Sequence, residues 1–317
     1  MAPTGHYKRL TGEEMKERLA EIKAEQSEPL REKVRRAKAL IAAIAERGPM
    51  AVMFSGGRDS TAVALLAKEH KPTLLYCNTG LSTPAALERI YRMARALRLN
   101  LIEAHPAYPA FEMWQKLGHY PIGPKRGHTY LKQQTMIKSS PVQCCYHLKE
   151  KPAKKLIRDE GYASILWGNR AADSDRRKLG IADHGILQPP SNRWPCWSVQ
   201  PIAYFTDQDI ADILRRQPGE WTERGEDGCA VCCTDLGRPD SQLARALEEH
   251  PYLFHVAIRA GLGREILKAQ GKPHTDADVT KALREDPSRF LWIPKIGKDH
   301  RDEGTISQPL ETKGGKP

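Results

Sequence analysis

Apolar positions recur at helical spacing near the start of the chain and then gather into short continuous runs. Met15, Leu19 and Ile22 share one face of a helix that opens on a capping box, Thr11 with Glu14 three residues on. A second helix begins near Ser27 and Pro29, turns Val34, Ala37, Leu40, Ile41 and Ile44 inward, and ends at Gly48-Pro49. Beyond it the period changes. Apolar runs at 51–54, 73–77, 99–104, 164–167 and 198–204 read as strands, and helical stretches at 62–67 and 84–97 separate the first three. Thr206 and Asp209 cap a further helix through Leu214. Such alternation predicts an α/β fold, a parallel sheet covered on both faces with ligands at the carboxyl ends of its strands. Residues 106–141 are irregular and read as a substrate-side insertion. A helix starts near Gln143, another stretch runs over 242–260, and the Gly/Lys/Pro-rich tail reads as disordered. No internal repeat is visible.

The strand 51–54 runs into Ser55-Gly56-Gly57-Arg58-Asp59-Ser60-Thr61 and then into a helix. Two glycines let the backbone approach a bulky anion, and the first helical turn offers free N–H groups and the positive end of the helix dipole. Ser55, Ser60 and Thr61 add hydroxyls, so a polyphosphate is the natural occupant. The loop is not a Walker loop, which needs four residues between its glycines and then Gly-Lys. A glycine-serine loop without function is the competing reading, and the strand and helix on either side count against it.

As it stands, 55–60 matches S-G-G-x-D-S and resembles the PP-loop ATP pyrophosphatases, which include thiolation enzymes, amide synthetases and the phosphoadenosine phosphosulfate reductases. The resemblance implies a Rossmann-like domain of the adenine nucleotide alpha hydrolase kind. Its nucleotide, ATP or an adenylyl nucleotide, would be held by Ser55, Gly56, Gly57, Arg58, Asp59, Ser60 and Thr61. Asn78-Thr79-Gly80, after the second strand, resembles the D-T-G segment of the reductase-like branch, with Asn in place of Asp. Gly168-Asn169-Arg170 and Asp173-Ser174-x-Arg176 resemble the segment that closes over the nucleotide's anionic end, where guanidinium groups suit phosphate or sulfate through paired donors. A plain basic surface loop is the alternative there.

Composition changes the picture in three places. The formal charge of +11 and pI of about 9.3 suit a nucleic-acid partner, a nucleotide substrate or merely a basic proteome. Arg31, Lys33, Arg35, Arg36 and Lys38 read as a solvated helix face, with nucleic-acid contact as the minority reading; Lys125 and Arg126 in the insertion form a second basic cluster. No apolar run approaches the ~20 residues of a membrane span and no apolar signal core opens the chain, which places the protein in the cytoplasm, away from membranes. Five of the seven cysteines cluster as Cys144-Cys145 and Cys229/Cys232/Cys233, which in that compartment points to metal or redox chemistry.

Adjacent cysteines on a helix diverge by about 100°, awkward for one tetrahedral zinc but suited to a cubane whose irons are separate corners. The pairing of Cys144 and Cys145 with Cys229 and Cys232 therefore favours a 4Fe-4S cluster; a zinc site using His147 and unligated thiols compete with it, and Cys233 is an alternative to Cys232. The iron–sulfur sulfonucleotide reductases are similar, with C-C-x-x-x-K; the lysine here is Lys149, which the resemblance places near the cluster. Cys77 and Cys196 read as packing residues. The expected divisions are a helical N-terminal extension over 1–48, a nucleotide-binding α/β domain over 49–215, and a cluster-binding loop with a helical C-terminal region over 216–317.

Three functional readings follow from the resemblance. In the preferred one the enzyme splits ATP between its α and β phosphates, adenylates a nucleic-acid or small acceptor, and passes on sulfur, drawing on the cluster or a sulfur-donor protein. Asp59 would help hold Mg2+, and Lys149 and Arg170 would neutralise developing charge. In the second it reduces adenylyl sulfate or its 3′-phosphorylated form to sulfite, but such reductases carry a cysteine in a C-terminal tail and tend to lose the loop aspartate, whereas this chain has Asp59 and no cysteine after Cys233. In the third it is a non-enzymatic nucleotide-binding iron–sulfur scaffold.

Overall fold

The computed structural model describes residues 10–110, 112–113 and 144–216 and the single positions 229 and 249. Its centre is a six-stranded sheet of β1 (Met50–Met53), β2 (Thr73–Cys77), β3 (Leu101–Ala104), β4 (Ser164–Leu166), β5 (Leu187–Gln188) and β6 (Trp197–Val199), in the order β3-β2-β1-β4-β6-β5. All neighbours are parallel except the edge strand β5, which runs antiparallel to β6. The strands are apolar without alternation because both faces are buried. Val52, Leu74 and Leu166 turn to one side, against α2 (Leu30–Ala45), α3 (Arg58–Ala67), α4 (Pro84–Leu97) and α7 (Asp207–Arg215). Ala51, Leu75 and Ile165 turn to the other, against α5 (Lys151–Asp159). The expected α/β architecture with its parallel core and preceding helices is present.

Local signals explain most element ends. Helix α1 (Gly12–Ser27) opens on Thr11, whose hydroxyl accepts the Glu14 N–H while the Glu14 carboxylate accepts that of Thr11. Thr206 and Asp209 repeat this box before α7. Thr83 caps α4, with Pro84 at its first position, where a missing N–H costs nothing. Two strands differ from expectation. The run 198–204 yields only β6, because Pro201 has no N–H for a ladder and the chain turns there. The third strand begins at Leu101 rather than at position 99. β5, two residues long, has no counterpart in the sequence reading.

The N-terminal helices pack tightly on the domain that follows. Ile22 of α1, with Met15 and Leu19 beside it, packs on Ile181 and Ala182 of α6 (Asp175–His184) and on Ala171 and Ala203. Lys33 is a correction to the solvated-face reading: it is 3% exposed, and its Nζ donates to the Asp209 carboxylate and to the Gln26 carbonyl. Of its neighbours, Arg35 pairs with Glu32, Arg36 with Glu25 and Glu28, and Lys38 with Glu69. No helix among the described residues is long and apolar enough to cross a membrane.

Candidate nucleotide site

The carboxyl ends of β2, β1, β4 and β6 open into a cavity of about 1390 Å3. The loop after β1 forms part of its lining and is held open by its own serines. Ser60 Oγ accepts the Ser55 N–H at 3.2 Å and donates to the Gly57 carbonyl at 3.0 Å, and Ser55 Oγ accepts the Gly57 N–H at 3.3 Å. The first intrahelical bond of α3 is Thr61 N–H to Gly57 O, so the N–H groups of Arg58, Asp59 and Ser60 precede the ladder. Helices α1, α4, α6 and α7 have side-chain caps, whereas α3 begins at Gly57 with none. Helices α2 and α5 likewise start without one. Gly56 has φ of +72°, and a Cβ there would meet Ile90 Cγ1 at 2.7 Å, so the first glycine serves both the turn and the seating of α4.

Arg170, itself buried, is at the centre of a charge cluster that reaches the surface at Asp207. Its guanidinium lies 3.0 Å from Asp59, 2.7 Å from Asp173 and 2.9 Å from Asp207, and its side chain is 6% exposed. Burial works against its charge, and Asp59, Asp173 and Asp207 together hold its pKa above the ordinary arginine value. Burial likewise raises the Asp59 carboxyl, opposed mainly by Arg170. Arg170 thus spends its charge on fixing Asp59 at the loop and Asp173 behind it. Asp173 in turn pairs with Arg177 of α6. Arg176, Arg177 and Asn169 line the cavity directly, and Gly168 lets the chain lie against the start of α3. Sequence spacing marked Arg170 but missed Asp207 and Arg177; the only signal at Asp207 was its place in the first turn of a capped helix.

Across the sheet, Asn78-Thr79-Gly80 follows β2. Asn78 Oδ1 accepts the Gly80 N–H at 3.1 Å while its Nδ2 donates to Glu103 at 2.9 Å, so the side chain builds the turn that buries Thr79. Thr79 Oγ1 lies 3.6 Å from Cys229 Sγ. Cys144 and Cys145 enter a π-helical turn, Tyr146–Glu150, that carries Lys149. Pro152, in the first turn of α5, cannot donate back along this continuous helical stretch, and the wider turn absorbs the missing bond. Cys145 and Lys149 line the same cavity as Thr79 and the phosphate loop. The structure therefore brings Cys145 and Lys149 to the cavity and Cys229 to Thr79 on its wall, with Cys144 buried beside Cys145. Cys232, Cys233, Lys125, Arg126 and most of the predicted insertion lie outside the described residues, as does the stretch 242–260 apart from position 249. Among the described residues no three His, Cys, Asp or Glu side chains gather as a metal-binding group.

Of the two remaining cysteines, Cys196 is buried, whereas Cys77 is half-buried and lines the cavity. Burial pushes Cys77 up to about 12 and Cys196 up to about 11. Cys77 donates weakly to the Lys149 carbonyl at 3.6 Å, and Cys196 packs with Trp194 on the α5 face.

Residues 49–220, more than half of the chain, match the family described as phosphoadenosine phosphosulfate reductase domain. No match is found among curated proteins. Among solved structures, a phosphoadenylyl-sulfate (PAPS) reductase from Candida auris, in a phosphate complex, is 12% identical; the match covers 69% of this chain and 96% of that one, with a TM-score of 0.41.

Proposed function

The chain belongs to the phosphoadenosine phosphosulfate reductase family, and on that premise we propose that it is an enzyme that splits ATP between its α and β phosphates to adenylate an acceptor that then receives sulfur. One observation carries this choice: a carboxylate, Asp59, stands in the first turn of the helix that offers its N–H groups to phosphate. Together with Asp173 and Asp207 it outnumbers the one guanidinium they share, and that acidic balance disfavours a bare polyanion. It suits a nucleotide whose phosphates arrive with a hard divalent cation, for which a carboxylate oxygen is the ordinary ligand. Asp59 retains partial exposure, lines the cavity and is oriented by Arg170, which fits a ligand to Mg2+; when bound, that ion would neutralise charge on the departing pyrophosphate.

The chain's own groups supply the rest. Gly57, Ser60 and the free N–H groups of α3 cradle the β and γ phosphates. Lys149 and Arg176 present positive charge along the cavity, while Arg170 keeps Asp59 and Asp173 in place. An acceptor oxygen attacks the α phosphorus, the α–β bridging bond breaks, and pyrophosphate leaves with the electron pair. The acceptor, now an adenylate, loses AMP to a sulfur nucleophile. The soft thiol of Cys145 lines the cavity, Cys144 is buried beside it and Cys229 lies against Thr79 on the cavity wall; such donors fit thiolate-bound iron, and Cys232 would complete the set for a 4Fe-4S cluster. Such a cluster, when bound, supplies sulfur or electrons beside Lys149.

Reduction of adenylyl sulfate to sulfite is the second reading, and family membership is what favours it. Asp59→Asn separates the two. The adenylating enzyme should keep its fold but lose Mg-dependent pyrophosphate release by at least ~10²-fold, since a charge stabilising the transition state is gone. Undiminished release would overturn the proposal; sulfite formation that the substitution leaves untouched would install the reductase in its place.

A further inference from the structure

The cavity is larger than one nucleotide needs. Its volume of about 1390 Å3 exceeds the roughly 300–1,000 Å3 that ordinarily buries a single ligand. It also has two chemically different ends. The Ser55–Thr61 loop lies after β1, whereas Ser198 on β6 and Gln200 just after it are two strands away in the sheet order and Gln188 on β5 is three, or roughly 10–14 Å at ~4.8 Å per strand. Trp167, at the end of β4, and Trp194 wall this second end, their rings 5.0 Å apart and inclined by 61°.

This end is built. Ser191 Oγ accepts the N–H groups of both Arg193 and Trp194, and the Ser191 N–H donates to the Trp194 carbonyl, which closes a tight turn. The turn buries Trp194 and leaves Arg193 exposed at the cavity rim. Trp167 Nε1 donates to Ser198 Oγ at 2.9 Å, fixing one indole against β6. Gln200, 9% exposed, lines the cavity, and its side-chain amide has no partner among the described residues, although its N–H donates to Ile186. None of the lining residues from β5, β6 and the turn between them is acidic.

We propose that this end is a second subsite, for one nucleotide unit of a single-stranded nucleic acid, which makes the nucleic acid the acceptor in the reaction above. The Gln200 amide matches the paired donor and acceptor on a base edge, the indole wall offers apolar contact to a ring, and Arg193 at the rim meets the phosphate outside. The inference deepens the adenylating reading and takes its acceptor class from this wall; the basic face of α2 contributes little, because Lys33, Arg35, Arg36 and Lys38 are already paired within the protein.

The test is fluorescence anisotropy of the full chain with a labelled mixed-sequence 12-nucleotide DNA or RNA, with and without a saturating α,β-methylene ATP analogue and Mg2+. Binding should persist with the analogue present. Gln200→Leu should weaken it about 10-fold, and Arg193→Ala should lower the magnitude of the salt slope by about 1, both leaving analogue affinity unchanged. No binding to either polymer, displacement of the oligonucleotide by the analogue, or two variants that bind like the parent would each overturn the subsite. Pyrophosphate release from ATP, measured separately, reads the adenylating proposal: oligonucleotide binding without release leaves the subsite standing and removes the reaction.

Discussion

At Gly168 a side chain has nowhere to go. A Cβ would stand 2.9 Å from the Ser60 nitrogen and 3.0 Å from the Asp59 carbonyl carbon, both backbone atoms of the turn proposed to hold phosphate. Gly168→Ala must therefore push the start of α3 away from the end of β4, and the free N–H groups of that turn move with it. Nucleotide affinity, measured by calorimetry, should fall at least ~10-fold, since such donors act only when pre-aimed. Gly180 is the control. It also lines the cavity, yet a Cβ there meets nothing within 4 Å, and it sits inside α6. Gly180→Ala should leave affinity intact and raise stability by roughly 0.5–1 kcal/mol, the helix penalty of glycine. Equal affinity for parent and Gly168→Ala would mean that the turn tolerates displacement and is not the phosphate cradle. The sequence marked both the loop and the 168–170 segment but carried no sign that the two touch, because backbone contact between residues over a hundred positions apart leaves no periodic trace.

Elements whose cause is local were legible for that reason. A capping box needs only two residues three apart, so the starts of α1 and α7 were readable at Thr11 and Thr206. The two-residue β5 has no such cause, because only pairing with β6 makes it a strand. Lys33 shows the same limit in charge: four basic neighbours suggest a wet face, and its burial is explained by the Gln26 carbonyl and by Asp209, 176 positions away. The role of α1 belongs here too. Its apolar face packs behind α6, whose other side gives Arg176 and Arg177 to the cavity, so the N-terminal helix braces the basic wall of the site. Leu19→Asp puts a charge into that contact and forfeits part of the roughly 1.5–3 kcal/mol that full burial of a leucine supplies, since Leu19 is half-buried. KM for ATP should rise several-fold with kcat within about twofold, and far-UV circular dichroism should report a sheet domain still folded. A changed kcat at constant KM would place α1 outside this supporting role.

Taken as a whole, the molecule gathers its chemistry at one edge of the sheet from segments that the sequence keeps apart. Cys144 and Cys145 arrive on the helical stretch that continues into α5, Thr79 on the turn after β2, and Cys229 from beyond α7. The cysteine spacing suggested a cluster but gave no sign that Cys145 would line the same cavity as the Ser55–Thr61 loop. Cys77 and Cys196 show why a count of cysteines would mislead, since burial holds both as neutral thiols, with pKa values of about 12 and 11. Protein purified without oxygen should absorb broadly near ~400 nm, as thiolate-bound iron–sulfur clusters do. Cys145→Ser and Cys229→Ser should each abolish that band and the accompanying iron, while Cys77→Ser and Cys196→Ser keep both. Because Lys149 shares the cavity with Cys145, loss of the cluster should also slow sulfur transfer without preventing pyrophosphate release, which depends on the loop across the sheet. Stoichiometric zinc without iron in the anaerobic protein, or a band that survives both cysteine substitutions, would remove the cluster and with it the sulfur half of the proposed reaction.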